Sequence, residues 1–224
     1  MTDLFNVLTG LSRQRSFRRL LVAPLTLRPR LLELIDREIG HARAGRKSRI
    51  VIKVNAIVDP GVIDALYEAS NAGVDVDVLC RGTCSLWPGL PGVSERIRVR
   101  SIIGIFLEHS RIFGFANGGE EEWYIGSADM MERNLDRRIE AVTPIEDAAA
   151  RERIIEIIET MLADDRRSWQ LGTDAIWRRT EELEAREGTI DTHQRLKERA
   201  LAAEAHVASP RRPGATAGSL DPRA

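Results

Sequence analysis

After Pro29, apolar residues recur at Leu31, Leu32, Leu34, Ile35 and Ile39, the spacing of one helical face, with Gly45 beyond its end. Ahead of it, Leu20-Leu21-Val22-Ala23-Pro24 reads as a short apolar strand or lead-in segment. Ile50-Val51-Ile52-Lys53-Val54 is a β-branched run between polar residues, the pattern of a buried strand. Asp59-Pro60 then supplies a cap followed by proline at the first helical position. Val62, Ile63, Leu66 and Ala69 make the helical stripe, and Gly73 makes the left-handed stop. Val74 to Leu79 alternates apolar and acidic residues and closes on Cys80 as a second strand. Strand, helix and strand within about 30 residues form a βαβ unit, so the two strands are expected to be parallel.

Farther along, Trp87 to Gly92 reads as a loop, and Ile97 to Ile103 and Arg111 to Ala116 as strands. Asn117-Gly118-Gly119 is a turn into a strand at Trp123-Tyr124-Ile125, an antiparallel hairpin. Arg137 to Val142 predicts one more strand. Ile145 to Asp165 predicts a helix carrying Ile154, Ile155, Ile157, Ile158, Met161 and Leu162. Beyond Arg166 the character shifts: residues 180–206 are charged and alanine-rich, helical by propensity with a thin apolar face. Trp169 and Trp177 are expected to staple this extension to the domain. From Ser209, Pro, Gly, Ser, Ala and Arg dominate, the composition of a disordered tail.

Composition narrows the function classes. At 43% hydrophobic residues over 224, the chain has enough apolar side chains for one core. Thirty-three Lys and Arg against 34 Asp and Glu leave a net charge of −1, which argues against gripping nucleic acid through bulk charge. No apolar run approaches the roughly 18 residues of a membrane span, and the N-terminus lacks a signal-peptide layout. Cys80 and Cys84, spaced C-x3-C, make neither a disulfide framework nor a zinc site, and a reducing cytoplasm is the expectation. Both read as small apolar residues. His41, His193 and His206 lie on polar stretches and are expected to be solvated.

Candidate chemistry concentrates between Glu108 and Glu140. His109-Ser110-Arg111 enters a strand, and the i+2 spacing puts His109 and Arg111 on one strand face. The turn Gly126-Ser127-Ala128-Asp129 could offer backbone N–H groups and a hydroxyl to phosphoryl oxygens. An imidazole can act there as nucleophile or proton donor. Arg81 ends the second strand of the βαβ unit, where open α/β sheets hold ligands, and its fork matches phosphoryl oxygens. Lys53 or Asn55 could face the same crevice. A second reading of these residues stands beside the first: His109 as a satisfied core histidine, and the arginines paired with Glu108, Glu132, Asp136 and Glu140.

Collinear blocks carry a resemblance: Phe5 to Gly10, Leu20 to Pro24, Lys53 to Asp59, Leu66 to Val74, Arg81 to Cys84, Phe106 to Ile112 and Ser127 to Glu140. Over about residues 4–165 the chain resembles the C-terminal catalytic domain of family-1 polyphosphate kinases. The resemblance implies a phospholipase-D-like mixed α/β sheet flanked by helices, with a helical C-terminal extension. With the compositional shifts beyond it, the expected division is a lead-in linker over 1–28, the domain over 29–165, the extension over 166–208 and the tail over 209–224. It implies ATP and inorganic polyphosphate as substrates, Mg2+ accompanying ATP, and phosphoryl transfer through a phosphohistidine. Arg81 and Arg138 would bind phosphate, and His109 would bind it and assist transfer, as proton donor to the leaving oxygen; Lys53, Arg111 and Ser127 are possible further contacts. Positive charge on the equatorial oxygens is what such a transition state requires.

Family members are roughly three times as long, and the half that carries their phosphorylated histidine, magnesium-site arginines and an aromatic base contact has no counterpart here. Ile105 stands where the family often has arginine, and Met130 where it usually has tryptophan. The chain is therefore expected to be inactive alone and to work with a separate chain, to form homo-oligomers and to expose an apolar or cationic face. Alternatives are a non-catalytic module binding polyphosphate or nucleotide, and a phospholipase-D-like phosphodiesterase. In the latter, Arg111 replaces the lysine of the usual H-x-K signature.

Overall fold

The computed structural model describes residues 5–6, 9–11 and 17–208. One nine-stranded mixed sheet organises them, in the order β1-β7-β6-β5-β2-β3-β4-β8-β9. The centre is the βαβ unit: β2 (Arg49–Val54), α2 (Pro60–Asn71) and β3 (Asp75–Cys80), the strands pairing in parallel. Asp59 caps α2 by accepting the Val62 N–H at 3.0 Å, a contribution of about 1 kcal/mol. Gly73, at φ +100°, makes the turn out of the helix. β4 (Ile97–Ile102) extends the parallel set, and β5 (Arg111–Phe115), β6 (Glu122–Gly126) and β7 (Glu140–Pro144) return antiparallel on the other side of β2. The hairpin at Asn117–Gly119 forms as its turn residues predict.

The sheet's two faces are covered unequally. Ile50, Ile52, Val54, Val76, Val78, Phe113 and Phe115 form one core with α1 (Leu27–Arg43) and α2, whose buried stripes include Leu31, Leu34, Ile35, Ile63 and Leu66. On the opposite face, Val51, Leu79, Ile102, Ile112 and Trp123 meet Ile158 and Met161 of α3 (Ala148–Leu162). Beside α3 an apolar groove of about 880 Å³ stays open, lined by Ile112, Ile125, Ala141, Thr143, Ile154 and Ile157 among others.

Three expectations change. The strand expected from Arg137 starts at Glu140, because Arg133–Arg137 wind into a π-helical turn anchored by buried Asn134 and Leu135. The segment 166–208 is only partly helical. β8 (Ser168–Leu171) pairs with β4, and β9 (Trp177–Arg179) pairs with β8, so the extension begins as sheet. Its helix is split into α4 (Thr180–Glu184) and α5 (Thr192–Ala208), α4 ending on left-handed Ala185. Trp177 packs against the main core, whereas Trp169 lies under the Arg179 guanidinium, 5.9 Å away. The tail from Ser209 lies outside the described residues.

Candidate functional site

Strand direction alone brings the candidate residues together. β2, β3 and β4 run in parallel and end at Val54, Cys80 and Ile102. β5 opposes β2, so its start at Arg111 lies at that same end; β6 ends there at Gly126, and β7 begins there at Glu140. Asn55, Arg81, His109, Ser127 and Arg138 therefore rim one edge of the sheet. Below them, three segments are knitted by backbone bonds: Ile57 N–H donates to Thr83 O (2.9 Å), Ser85 N–H to Ile57 O (2.9 Å) and Val58 N–H to Met130 O (2.9 Å). Met130 is fully buried there, so its departure from tryptophan is a core substitution.

An inner layer of charge supports this rim. Arg111 is buried, donating from Nε to Asp129 Oδ1 at 3.1 Å and from Nη2 to Oδ2 at 2.6 Å. Asp129 Oδ1 also accepts the N–H groups of Asn55 (2.6 Å) and Ala56 (3.1 Å). Burial alone would raise the Asp129 carboxyl. The hydrogen bonds from Arg111 and the two backbone N–H groups, with Arg111's charge, hold it below the usual carboxylate range instead. Lys53, 3% exposed, donates to Ser110 O at 3.2 Å and lies 3.3 Å from Glu108 Oε2. Burial pulls its ammonium below the ordinary lysine value; Glu108 opposes the fall, and the charges of Arg111 and Arg81 add to it.

These pairings already engage several of the candidate side chains. Lys53 is held by Glu108 and the backbone ahead of β5, beneath the rim. Arg111 is neutralised by Asp129 and meets the rim through Nη1, which donates to His109 O (2.6 Å) and His109 Nδ1 (2.9 Å). In the Gly126–Asp129 turn, exposed Ser127 donates its N–H to Ala141 O at 3.1 Å, and its hydroxyl is bound to Glu140. Glu140 also accepts from Asn134 Nδ2 at 2.6 Å, which fixes the π-helical turn before Arg138. The expected pairing of arginines with nearby acids holds for Arg137 with Glu132 (2.6 Å), while Asp136 goes to Arg28 (2.6 Å).

Three candidates along this edge keep side-chain groups that the fold has not engaged. Half-buried Arg81 gives Nη2 to Asn55 Oδ1 and holds Nε buried without a partner, so Nη1 is its unpartnered nitrogen that is not buried. Gly82 beside it is required by close approach, since a Cβ there would lie 2.8 Å from Asn55 O. His109 is exposed; because Arg111 can only donate, His109 Nδ1 is an acceptor, and the neutral ring carries its proton on Nε2, pointing outward. Arg138 is exposed, and no hydrogen bond or ion pair engages its guanidinium among the described residues. A cavity of about 370 Å³ is lined by Arg81 and residues Ile102 to Leu107, of which Ile103, Ile105, Phe106 and Leu107 are exposed. This is the apolar face expected of the chain, and it adjoins the cationic rim.

Two features of the edge escape a reading of the sequence. Glu108 bridges Lys53 to His193, and His193, expected to be solvated, is 2% exposed and hydrogen-bonded to Glu108 at 2.8 Å. Nothing in the polar run around residue 193 signals this contact; it joins positions 85 residues apart. Cys80 and Cys84 are free thiols, Cys80 pushed up by the neighbouring Cys84 and by burial.

The Mg2+ that the resemblance implies finds no donors here. Among the described residues no group of three or more His, Cys, Asp or Glu could hold a metal ion, and Glu108, Asp129 and Glu140 are each engaged by cations or donors at the rim.

Residues 20–190 match the family model "Polyphosphate kinase C-terminal domain 2". The chain is 58% identical over 201 residues to a polyphosphate kinase of Thermosynechococcus vestitus, covering 90% of this chain and 27% of that protein. It is 56% identical over 179 residues to one of Streptomyces coelicolor, covering 80% and 24%. The fold superposes on the crystal structure of polyphosphate kinase from Porphyromonas gingivalis with a TM-score of 0.83 and 36% identity, covering 92% of this chain and 31% of that one. The chain thus spans about a quarter of the length of the curated relatives it matches.

Proposed function

The chain belongs to the polyphosphate kinase C-terminal domain 2 family, and from that premise we propose that it supplies the second half of a site moving a phosphoryl group between ATP and inorganic polyphosphate. The observation that carries this reading is the convergence of Arg81, His109 and Arg138 from three strands on one sheet edge, each open to a ligand. Arg81 and Arg138 hold phosphoryl oxygens, the guanidinium forks matching the spread charge of a metaphosphate-like transition state. His109 presents Nε2–H to the leaving or bridging oxygen while Arg111 fixes the ring from Nδ1. A second proton on Nδ1 requires Arg111 to let go, so the ring acts first as a hydrogen-bond donor. Lys53 and Arg111 act one layer below, and exposed Ser127 sits between the two layers.

His193 is buried against Glu108, and His41 bonds Asn117 at the opposite end of the sheet. In this reading the phosphorylated histidine that the resemblance requires, and the magnesium ligands, belong to the first catalytic half, which a separate chain can supply. The exposed apolar segment Ile103 to Leu107 and the open groove beside α3 suit association with that chain or with a second copy as a homo-oligomer. Neither a membrane span nor nucleic acid has a part in this reading. No helix among the described residues is long and apolar enough to cross a membrane, and the free thiols suit the cytoplasm.

Mixing the chain with the first catalytic half of a relative, ATP and Mg2+ tests this directly. Phosphohistidine formation and polyphosphate synthesis, both lost with Arg81→Ala, are expected; no complementation at micromolar protein overturns it. One other reading is a non-catalytic module for polyphosphate or nucleotide. Titration calorimetry showing Arg81-dependent binding without turnover in the mixture selects it. A phosphodiesterase would instead release product from a generic phosphodiester in a His109-dependent way.

A further inference from the structure

The foot of α5 is a rigid block. Thr192, fully buried, donates its N–H to Asp164 Oδ2 at 2.7 Å and its hydroxyl to Thr160 O at 3.3 Å, while Asp191 is paired with Arg167 at 2.8 Å. From this block His193 reaches into the segment joining β4 to β5, the segment that lines the crevice beside Arg81 and carries His109. His193 Nδ1 accepts the Phe106 N–H at 3.3 Å, and Nε2 donates to Glu108 Oε1 at 2.8 Å. The Phe106 and His193 rings lie 5.4 Å apart, tilted by 59°. Gly104 is the counterpart of this fit: a Cβ there would stand 2.3 Å from His193 Nδ1. Glu108 passes the link on to Lys53 of β2, whose ammonium holds Ser110 O.

Resting on the phosphate-site reading above, we propose that His193 is a positioning residue for that site, a peg by which the C-terminal extension fixes residues 103–110, and with them His109, at a set distance from Arg81. The segment has little else to hold it. Ile103, Ile105, Phe106 and Leu107 are more than half exposed, and its anchored points are the Ile103 N–H on Arg167 O at 3.3 Å and the bonds to His193, Lys53 and Arg111. A segment so sparsely buried opens locally at low cost unless specific bonds close it. His193 supplies two such bonds through one ring, donor and acceptor both used.

The test uses the full chain with His193→Ala, His193→Gln and Gly104→Ala, the last crowding the ring off the segment while leaving the α5 anchor intact. In His193→Ala and Gly104→Ala, amide exchange across 103–110 is expected to rise at least about tenfold, with β2 and β3 amides unchanged. Affinity for ATP and for inorganic tripolyphosphate should fall about tenfold by calorimetry, about 1.4 kcal/mol. His193→Gln, which keeps a donor toward Glu108, should recover most of both. Unchanged exchange in 103–110, faster exchange with undiminished affinity, or equal loosening of the whole sheet in both variants overturns the proposal. A wild-type chain that binds neither probe overturns the phosphate-site reading instead, and exchange alone then decides whether His193 pegs the segment.

Discussion

Two layers of the same sheet edge hold the same kinds of residue and use them differently. In the lower layer, Lys53, Arg111, Glu108 and Asp129 are buried or nearly so, and every charge meets its opposite. In the upper layer, Arg81, His109 and Arg138 face the mouth with donors left over. The difference is set by depth. A guanidinium taken out of water must be paired or it destabilises the fold, whereas one at the rim keeps its solvent until a phosphate replaces it. Cation count is thus a poor guide to phosphate binding. What matters is which cations the fold has already neutralised.

Breaking the lower layer gives the largest effect. Asp129→Ala strips Arg111 of its partner and Asn55 and Ala56 of their acceptor, and should cost about 3–5 kcal/mol, read as a fall in the urea midpoint. Acid reaches the same bond more gradually. The Asp129 carboxyl lies below its ordinary value of 3.8 in the folded chain, so its stabilisation is complete above that value and drains away as pH falls through the native one. Urea midpoints measured from pH 6 to pH 3 should fall at the acid end, and Asp129→Asn should flatten that slope. The upper layer behaves oppositely. Arg81→Ala should leave stability within about 0.5 kcal/mol yet lose about 1.5–3 kcal/mol of tripolyphosphate binding, checked by calorimetry beside thermal melts. Ser127 sits between the layers. Ser127→Ala should cost about 1 kcal/mol of stability through its lost bonds to Glu140 and Ala141, with phosphate affinity held. A large affinity loss there would move Ser127 up into the ligand-binding group.

Much of this was legible in the chain. The stripe Val62, Ile63, Leu66, Ala69 between Asp59-Pro60 and Gly73 predicted α2, and the two β-branched runs around it predicted parallel β2 and β3. Local pattern suffices where apolar period, cap and stop agree. It failed at Arg133–Arg137, where charged residues in a strand-like run wind into a π-helical turn because Asn134 and Leu135 are drawn into the core. It failed again at β8 and β9, four- and three-residue strands that add themselves to the edge of β4. Such short strands carry no period of their own. At the site, the resemblance put Arg81, His109 and Arg138 ahead of Lys53, Arg111 and Ser127, while residue pattern alone could not say which of their charges the fold would pair.

What the sequence determined by itself is therefore the central elements, the family and the roster of cations and imidazole, because these depend on side-chain type and spacing along the chain. The tertiary structure decided which of them remain available. Asp129 meets Arg111 across 18 residues, Lys53 meets Ser110 across 57, and His193 meets Glu108 across 85. Those distances are closed by strand order and by a helix returning from the far end of the chain. Charge pairing and desolvation act through space, and no local pattern encodes the partner that will be waiting there.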